Sequence, residues 1–339
     1  MPPRGLRGAF IGFGDVAAQA HLPGWQRRND VSIVAAADVS AARREAFLAA
    51  CPDGRCYDTF ADMVAVETLE FVDICTPPGR HAALTEQALD ARLHVLCEKP
   101  LVIRAADAAV VAAAAASAGR IVHTVHNWLE APICRMISSL VSDGAIGAVR
   151  SLRWRTLRTG PAGATAAGGT WRLDPAIAGG GILLDHGWHA LYCVMRWAGG
   201  NPRRIAASLE TSRFHDWPLE DTATVTVDLG VSTAHIHLSW AADERSNHIE
   251  VEGERGCLRV SGDSVVAEGA WGERRWSCPP PLSEGSYHPD WFAGVAEHFL
   301  AATAGGAPGN LNEAVLCAQL IDLAKRSSAA GGAWVSVDA

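Results

Sequence analysis

The sequence lacks a surplus of positive charge and any long apolar run. Its 339 residues include 29 Lys and Arg but 37 Asp and Glu, which gives a formal net charge of −8. Because proteins bind phosphate backbones through an excess of Lys and Arg, this balance argues against a nucleic-acid partner. The longest apolar stretch, residues 108–116, is nearly all alanine and is much shorter than the ~20 residues that cross a bilayer. We therefore expect neither nucleic acid nor a membrane as a partner.

Disulfide and zinc patterns are absent as well. The nine cysteines, an odd number, are scattered from Cys51 to Cys317, which is typical of reduced thiols in a chain of this length. Only Cys51 and Cys56 are close together, and no second Cys or His pair completes a zinc spacing. The apolar segment after Arg7 ends too early for a signal peptide. These observations predict a cytoplasmic protein without a metal.

The first third of the chain contains short apolar runs that alternate with helix-like segments. Continuous apolar strands separated by helices indicate a parallel sheet covered on both faces, and right-handed connections then favour a doubly wound α/β fold. The predicted strands are residues 9–13, 32–37, 71–75, 94–97 and 121–125, and the predicted helices are residues 15–28, 41–50, 81–91 and 105–118.

The pattern changes after residue 127, where polar and apolar residues alternate with a period of two. This alternation predicts an antiparallel or mixed sheet with one wetter face, within an α+β domain. The strands are predicted at 149–157, 205–211, 222–229, 233–240, 248–252 and 257–260, and the helices at 183–197, 290–304 and 312–329. A length of 339 residues suggests roughly two domains, and we place them at residues 1–122 and 123–339.

Residues 12–17 read G-x-G-x-x-A, directly after the first predicted strand and at the start of a predicted helix. This is the context of a dinucleotide-binding turn, although a glycine turn that binds nothing is the alternative. Gly12 permits the tight turn, Gly14 lets the backbone approach a pyrophosphate, and Ala17 keeps the helix close to the sheet. The helix amino terminus then offers N–H groups to the phosphates. The cofactor residues predicted here are Gly12, Phe13, Gly14, Asp15 and Val16.

Asp38 ends the second predicted strand, 21 residues after Ala17, close to the ~20 residues expected for a ribose-binding acid. A carboxylate at this position accepts hydrogen bonds from the ribose hydroxyls and repels a 2′-phosphate, so the sequence favours NAD. Arg43 and Arg44 follow at a helix start and can pair with a phosphate, which leaves NADP possible. They can equally be solvated surface residues.

Several motifs together make the chain similar to the glucose–fructose oxidoreductase / inositol dehydrogenase / MocA family over nearly its whole length. The motifs are residues 12–17, Asp38, Thr76-Pro77-Pro78 with His81, residues 94–100 (His-Val-Leu-Cys-Glu-Lys-Pro) and residues 179–189. The resemblance implies an NAD(P)-dependent oxidoreductase that acts on a secondary alcohol or ketone of a sugar, cyclitol or related molecule. It also implies a Rossmann domain followed by an α+β domain with a large, open, mostly antiparallel sheet.

The same resemblance assigns the catalytic residues. Hydride transfer from a carbinol carbon requires a group that takes the hydroxyl proton and a positive charge that stabilises the developing oxyanion. Lys99, at the end of the fourth strand, would contact the reacting hydroxyl, while Asp185 would position the substrate and His189 would act as general base or acid. A surface Glu-Lys-Pro turn and a structural Asp–His helix pair are the alternatives. The resemblance adds to the cofactor site Thr76, Pro77, His81, Glu98 and Lys99.

The chain departs from the family pattern at two places. Asn127 matches, but Trp128-Leu129-Glu130 replaces a segment that often carries two arginines, which disfavours a strongly anionic substrate. Trp128 can stack on a sugar face or be a buried aromatic. Tyr192 stands where an aspartate frequently follows the histidine. Trp171 and Arg172 follow a Gly/Ala-rich loop at 160–169, and core packing or solvation explains these two residues equally well. With them, the candidate substrate residues are Lys99, Asn127, Trp128, Trp171, Arg172, Asp185 and His189.

Two other functions stay open, the first of them known from similar proteins, and the sequence also predicts an assembly. In one alternative, tightly held NAD oxidises the substrate transiently to permit elimination or glycoside cleavage. In the other, the protein is a non-catalytic NAD-binding regulator, although a binding module would not need Lys99, Asp185 and His189. The charged fraction is only 19%, which fits a sheet face covered by another subunit, and we expect a homodimer or homotetramer formed through the C-terminal sheet.

Overall fold

A computed structural model describes residues 5–163 and 171–337. Most of the predicted loop at 160–169 therefore lies outside the described residues. Contacts within the chain define two units. The first comprises Met1–Val102, Ala106–Asn127 and Ser286–Val315, and the second comprises Ile103–Ala105, Trp128–Gly285 and Leu316–Ala339.

The described part of the first unit is built on a parallel sheet of six strands in the order β3-β2-β1-β4-β5-β6. The strands are β1 Leu6–Ile11, β2 Val31–Ala37, β3 Arg55–Tyr57, β4 Phe71–Ile74, β5 His94–Cys97 and β6 Val122–Thr124. The strand order reverses beside β1, which is the topology of a doubly wound fold and places the ligand-binding crevice at the carboxyl ends of β1 and β4. The predicted α/β fold class is confirmed.

Helices follow most of these strands, as their spacing predicts. The helices of the chain are α1 Leu22–Gln26, α2 Ala41–Ala50, α3 Phe60–Val66, α4 His81–Asp90, α5 Ala105–Ala118, α6 Pro132–Ser142, α7 Pro175–Ala178, α8 Trp188–Ala198, α9 Pro289–Thr303 and α10 Leu311–Ala329. A π-helical turn, Ala17–His21, precedes α1, and a second one, Leu183–Gly187, precedes α8. Wider turns of this kind occur frequently at functional sites.

Helix α9 packs in the core of the first unit, although the sequence places it in the second predicted domain. Phe292 lies edge-on to Trp25 with ring centroids 5.3 Å apart, and Phe299 lies edge-on to Phe71 at 5.4 Å. These rings are at most 1% exposed, so burying them stabilises the unit by about 1.5–3 kcal/mol per side chain. The assignment of separate roles to residues 1–122 and 123–339 stays a prediction.

The described part of the second unit contains a nine-stranded sheet in the order β14-β13-β12-β11-β7-β10-β9-β8-β15. Its strands are β7 Val149–Leu157, β8 Arg204–Glu210, β9 Thr222–Asp228, β10 Thr233–Ser239, β11 Ser246–Gly253, β12 Gly256–Ser261, β13 Ser264–Gly269, β14 Gly272–Ser277 and β15 Val335–Ser336. Only β7 and β10 pair in parallel, so the expected mostly antiparallel sheet is confirmed. One face buries Trp154 and Ile236 beneath α8, while Arg153 and His235 lie on the other.

The helices and the cysteines bear on two expectations from the sequence, namely that no segment crosses a membrane and that the cysteines are reduced thiols. Among residues 5–163 and 171–337, no helix combines the length and the apolar character needed to cross a bilayer. All nine cysteines are free thiols in the structure.

Candidate active site

The turn after β1 has the backbone geometry of a dinucleotide-binding loop. Gly12 has φ +84°, and a Cβ at this position would lie 2.9 Å from Thr76 Cγ2 and 3.0 Å from the Thr76 nitrogen. Only glycine fits there without displacing the loop after β4. A Cβ on Gly14 would meet nothing within 4 Å, so the space beside the turn is open to a phosphate. The helix begins immediately, since the Ala18 N–H donates to the Gly14 carbonyl at 3.0 Å.

Asp38 links this turn to the end of β2. Its Oδ2 accepts a hydrogen bond from the Phe13 N–H at 2.7 Å, and its Oδ1 accepts from the Ser40 N–H at 2.8 Å. These bonds hold the carboxylate beside the glycine turn and leave further lone pairs for ribose hydroxyls. Arg43 pairs with Asp15 at 2.7 Å. This exposed ion pair lies at the start of the helix that follows the glycine turn, which comprises the π-helical turn Ala17–His21 and α1 and is called the fingerprint helix below.

The loop after β4 carries three of the predicted cofactor residues. Thr76 Oγ1 is buried and has no hydrogen-bond partner among the described residues, so it is an available polar atom next to Gly12. His81 is fully buried, and its Nδ1 and Nε2 lie 2.7 Å from the carbonyl oxygens of Pro100 and Thr76. Burial lowers its pKa, against the effect of the two carbonyls. Pro77 directly precedes the short helical turn Pro78–Arg80, and His81 joins the loop after β4 to that after β5.

Glu98 and Lys99 follow β5 directly, at the edge of the sheet where ligands of doubly wound folds bind. The Lys99–Pro100 peptide bond is cis. Glu98 Oε2 accepts a hydrogen bond from the Lys99 N–H at 2.9 Å, and its Oε1 lies 3.0 Å from His21 Nε2. The carboxylate therefore orients the backbone that carries the lysine.

His21 is a polar residue of this region that sequence reasoning missed. Its Nδ1 lies 3.0 Å from both carboxylate oxygens of Asp73 and 3.2 Å from Cys75 Sγ. In the described residues, these three side chains form the one group whose ligand atoms, within 4.8 Å of one another, resemble a metal site. The atoms are already hydrogen-bonded to one another, and burial raises the pKa of the Cys75 thiol well above its ordinary value. We interpret the group as a hydrogen-bond network.

In the second unit, the glycine segment before α8 is shaped by a half-buried carboxylate. A Cβ on Gly181 would lie 2.0 Å from the Glu220 carbonyl oxygen, so the chain passes too close for any other residue. Glu220 Oε1 accepts from the N–H groups of Gly181 at 3.0 Å and Leu183 at 3.2 Å. Burial raises the pKa of this carboxyl. Sequence reasoning missed Glu220, which satisfies the free N–H groups where this helix starts.

His189 is held by two aromatic neighbours of the same unit. It is 4% exposed, its Nδ1 lies 2.6 Å from the Tyr192 hydroxyl, and the Trp128 ring stacks on it at 4.5 Å with an interplanar angle of 11°. The Trp128 N–H donates to the same hydroxyl at 3.1 Å. Burial raises the pKa of Tyr192 well above its ordinary value, so the phenol stays protonated at neutral pH. Trp128 thus packs on the histidine within this unit.

Asp185 lies in the π-helical turn, four residues before His189. His186 Nε2 is 3.9 Å from Asp185 Oδ2, so His186 contacts the predicted substrate carboxylate. The buried Arg158 has its pKa lowered by burial to about 10, and the charge of Asp185 acts in the opposite direction. Asp185 is therefore placed in a polar, charged environment.

Of the remaining substrate candidates, two pair with each other. Trp171 is 37% exposed, and the Arg172 guanidinium lies 4.3 Å above its ring while donating to the Ala162 carbonyl at 3.1 Å. Asn127, in the first unit, has a buried Oδ1 without a hydrogen-bond partner among the described residues. This oxygen is available to accept a hydrogen bond from a ligand.

The doubly wound sheet, the open glycine turn and Asp38 together define a dinucleotide-binding protein of the Rossmann class. Comparison with known families makes the assignment more specific. A protein-family model described as an oxidoreductase family with an NAD-binding Rossmann fold matches residues 6–126. A second family model, that of the GFO/IDH/MocA C-terminal domain, matches residues 134–259. The chain belongs to this family of oxidoreductases, and the resemblance seen in the sequence is confirmed.

Named relatives include sugar dehydrogenases. The chain is 31% identical to D-apiose dehydrogenase of Paraburkholderia graminis over 82% of this chain and 74% of that protein. It is 27% identical to D-xylose 1-dehydrogenase (NADP(+)) 2 of Haloferax volcanii, over 83% and 85% respectively. Its fold is similar to that of an Agrobacterium radiobacter oxidoreductase solved with NAD+, L-tartaric acid and magnesium (TM-score 0.85, 21% identity, 98% of both chains).

Proposed function

We propose that this oxidoreductase transfers a hydride between a nicotinamide cofactor and a secondary alcohol or ketone of a sugar, cyclitol or related molecule. The observation that carries the proposal is Lys99 at the carboxyl end of β5, on the same sheet edge as the open glycine turn. The dehydrogenases named above act on pentoses, which supports the substrate class.

The residues of the first unit suit a dinucleotide. The open turn at Gly14 and the available Thr76 Oγ1 beside it suit a pyrophosphate. The fixed carboxylate of Asp38 suits a ribose. When bound, the nicotinamide supplies the hydride acceptor or donor. Phe13, Asp15, Val16, Pro77, His81 and Glu98 complete the proposed cofactor site. The protein supplies the groups that transfer the hydroxyl proton.

We assign this proton chemistry to two residues. The Lys99 ammonium stabilises the oxyanion as the hydroxyl proton leaves and assists its transfer. His189 is the general base in oxidation and the general acid in reduction, roles that imidazole most often fills in enzymes. Asp185 accepts hydrogen bonds from substrate hydroxyls and orients the ring, with Asn127, Trp128, Trp171 and Arg172 as further substrate contacts.

A substrate screen tests the proposal. Pentoses, hexoses and inositols are each incubated with NAD or NADP, and the appearance of NADH or NADPH absorbance is followed. We expect net cofactor reduction with at least one polyol, absent in Lys99→Ala. Product formed without net reduction, with NAD that stays bound through purification, would instead indicate transient oxidation followed by elimination or cleavage.

We further propose that NAD is preferred over NADP. Asp38 presents a negative charge where a 2′-phosphate would lie, and two nearby arginines already have acidic or backbone partners. Arg43 pairs with Asp15, while Arg44 donates to the Asp38 carbonyl and pairs with Asp58 at 3.0 Å. Because these guanidinium groups are engaged, a phosphate must displace existing bonds to recruit them.

Replacing Asp38 with asparagine tests this preference. We expect kcat/KM for NAD to fall roughly tenfold to hundredfold, since hydrogen bonds to a charged group are lost, and kcat/KM for NADP to rise because the repulsion is removed. Steady-state kinetics with both cofactors measure the ratio. Asp53→Asn, which removes an exposed carboxylate that does not pair with Arg43 or Arg44, is the control. An unchanged NAD/NADP ratio in Asp38→Asn would contradict the assignment.

We also propose a cytoplasmic homodimer or homotetramer formed through the exposed face of the nine-stranded sheet. That face interleaves opposite charges, with Arg153 bonded to Glu250 and Glu252, and Arg259 bonded to Glu250. An interleaved pattern is self-complementary under two-fold symmetry. The nine free cysteines support a reducing compartment.

A further inference from the structure

His21 lies between two carboxylates beneath the proposed cofactor site. It ends the π-helical turn of the fingerprint helix and is 1% exposed. Its Nδ1 is 3.0 Å from both oxygens of Asp73 on β4, and its Nε2 is 3.0 Å from Glu98 Oε1 after β5. One ring therefore bridges three neighbouring segments of the first unit.

The neighbours of this ring determine its protonation. A neutral imidazole has one N–H donor and one acceptor, whereas an ionised carboxylate only accepts. Asp73 Oδ2 also accepts from Trp25 Nε1 at 2.8 Å, and Glu98 Oε2 accepts from the Lys99 N–H at 2.9 Å. Both carboxylates are thus oriented as acceptors, and both ring nitrogens of His21 must donate. The Phe292 ring, stacked on the imidazole at 3.9 Å, offers the face that a cation favours.

The electrostatics of the group agree with this proton inventory. Burial lowers the pKa of His21, but the charges and hydrogen bonds of Asp73 and Glu98 outweigh it and raise the pKa to about 9. Burial raises the pKa of Glu98, but the hydrogen bond from His21 outweighs it and leaves the pKa below its ordinary value. The third titratable neighbour, Cys75, stays a neutral thiol because burial raises its pKa.

We propose that His21 is a positioning residue charged at neutral pH, an imidazolium that fixes Glu98, and through it the Lys99 backbone, to the fingerprint helix. The proposal rests on the proposed function for the role of Lys99. One charged bridge then links the segment that would contact the cofactor phosphates to the segment that carries Lys99. His21 itself does not exchange protons with substrate, because both of its nitrogens are occupied.

The bridge has a defined pH range. The pKa of His21 is about 9 in the folded protein against 6.5 in an unfolded chain. Its stabilising contribution is therefore complete below the unfolded value and is lost as the pH rises through about 9. Above that range the ring has one donor for two carboxylates, and one of them loses its hydrogen bond to His21.

NMR of the histidine side-chain nitrogens in the unmodified protein tests the charge directly. We expect both nitrogens of His21 to be protonated at neutral pH, with titration near 9. His123, buried in the same unit, is the control, since burial lowers its pKa to about 3 and it stays neutral. A neutral His21 at neutral pH would overturn the proposal. This experiment uses no substrate, so its outcome is independent of the proposed reaction.

A double-mutant cycle tests the positioning role. We expect His21→Gln and Glu98→Gln each to lower kcat/KM by roughly tenfold to hundredfold, as expected for lost bonds between charged groups. The kcat/KM of the double variant should be no lower than that of the more impaired single variant, because His21 acts through Glu98. His123→Gln, which removes a buried histidine without a carboxylate partner, should keep near-normal kinetics. Additive losses in the cycle would contradict the proposal. NAD affinity is also measured without turnover, so that failure of the positioning role can be distinguished from a wrong substrate assignment.

Discussion

Replacing Lys99 with alanine is expected to lower kcat by about 10²–10⁴-fold, the usual contribution of a positioned acid or base. The ammonium group supplies both the charge that stabilises the oxyanion and a path for the hydroxyl proton. NAD binding should persist, because the glycine turn and Asp38 lie in other loops. Steady-state kinetics and NAD titration by protein fluorescence measure the two effects separately.

The matched variant for this experiment is Lys99→Arg. A guanidinium keeps the positive charge but does not release a proton at physiological pH, so we expect partial recovery of activity over the alanine variant. The sequence contains only two lysines, Lys99 and Lys325, so reductive methylation of the protein also reports largely on this site. Full activity in Lys99→Ala would rule out the catalytic assignment.

Replacing His189 with alanine should lower kcat by a similar factor of about 10²–10⁴. The imidazole is buried against Trp128 and bonded to the Tyr192 hydroxyl, so its ring is held in one orientation. Tyr192→Phe removes only that hydroxyl, and the loss of a bond of about 1 kcal/mol corresponds to roughly a fivefold fall in kcat. The pH dependence of kcat, measured for both variants, separates loss of the base from loss of its orientation.

An exposed histidine of the same unit provides the control. His235 lies on β10, on the open sheet face, and His235→Ala should leave kcat unchanged. If His189→Ala retained wild-type kcat at every pH, the proton would have to leave through another group. The graded effect of Tyr192→Phe would then have no explanation.

The strands and the cofactor turn were predictable because their signals are local. An uninterrupted apolar run such as residues 71–75 indicates a buried parallel strand, and the glycine spacing at 12–17 has few structural meanings. Strand β14 was missed for the opposite reason. Its sequence, Gly-Glu-Arg-Arg-Trp-Ser, lies at the sheet edge with most residues exposed, so it carries no alternation that sequence reasoning can detect.

The supporting residues of the site could not be predicted, since their partners are distant in the chain. His21 meets Asp73 and Glu98 only after three strands have aligned. Glu220 reaches Gly181 across 39 residues. Single buried polar residues have no characteristic spacing, so only the folded chain shows what they contact. The motif residues were visible, whereas those that orient them were not.

The position of helix α9 has a consequence for the order of events during synthesis. Trp25 and Phe71 leave the ribosome early, but Phe292 and Phe299, which complete their core, follow only after residues 128–285. At about 5–20 residues per second this delay lasts roughly 10–30 s. During that interval the nascent first unit exposes aromatic surface, so its final packing requires the synthesis of α9.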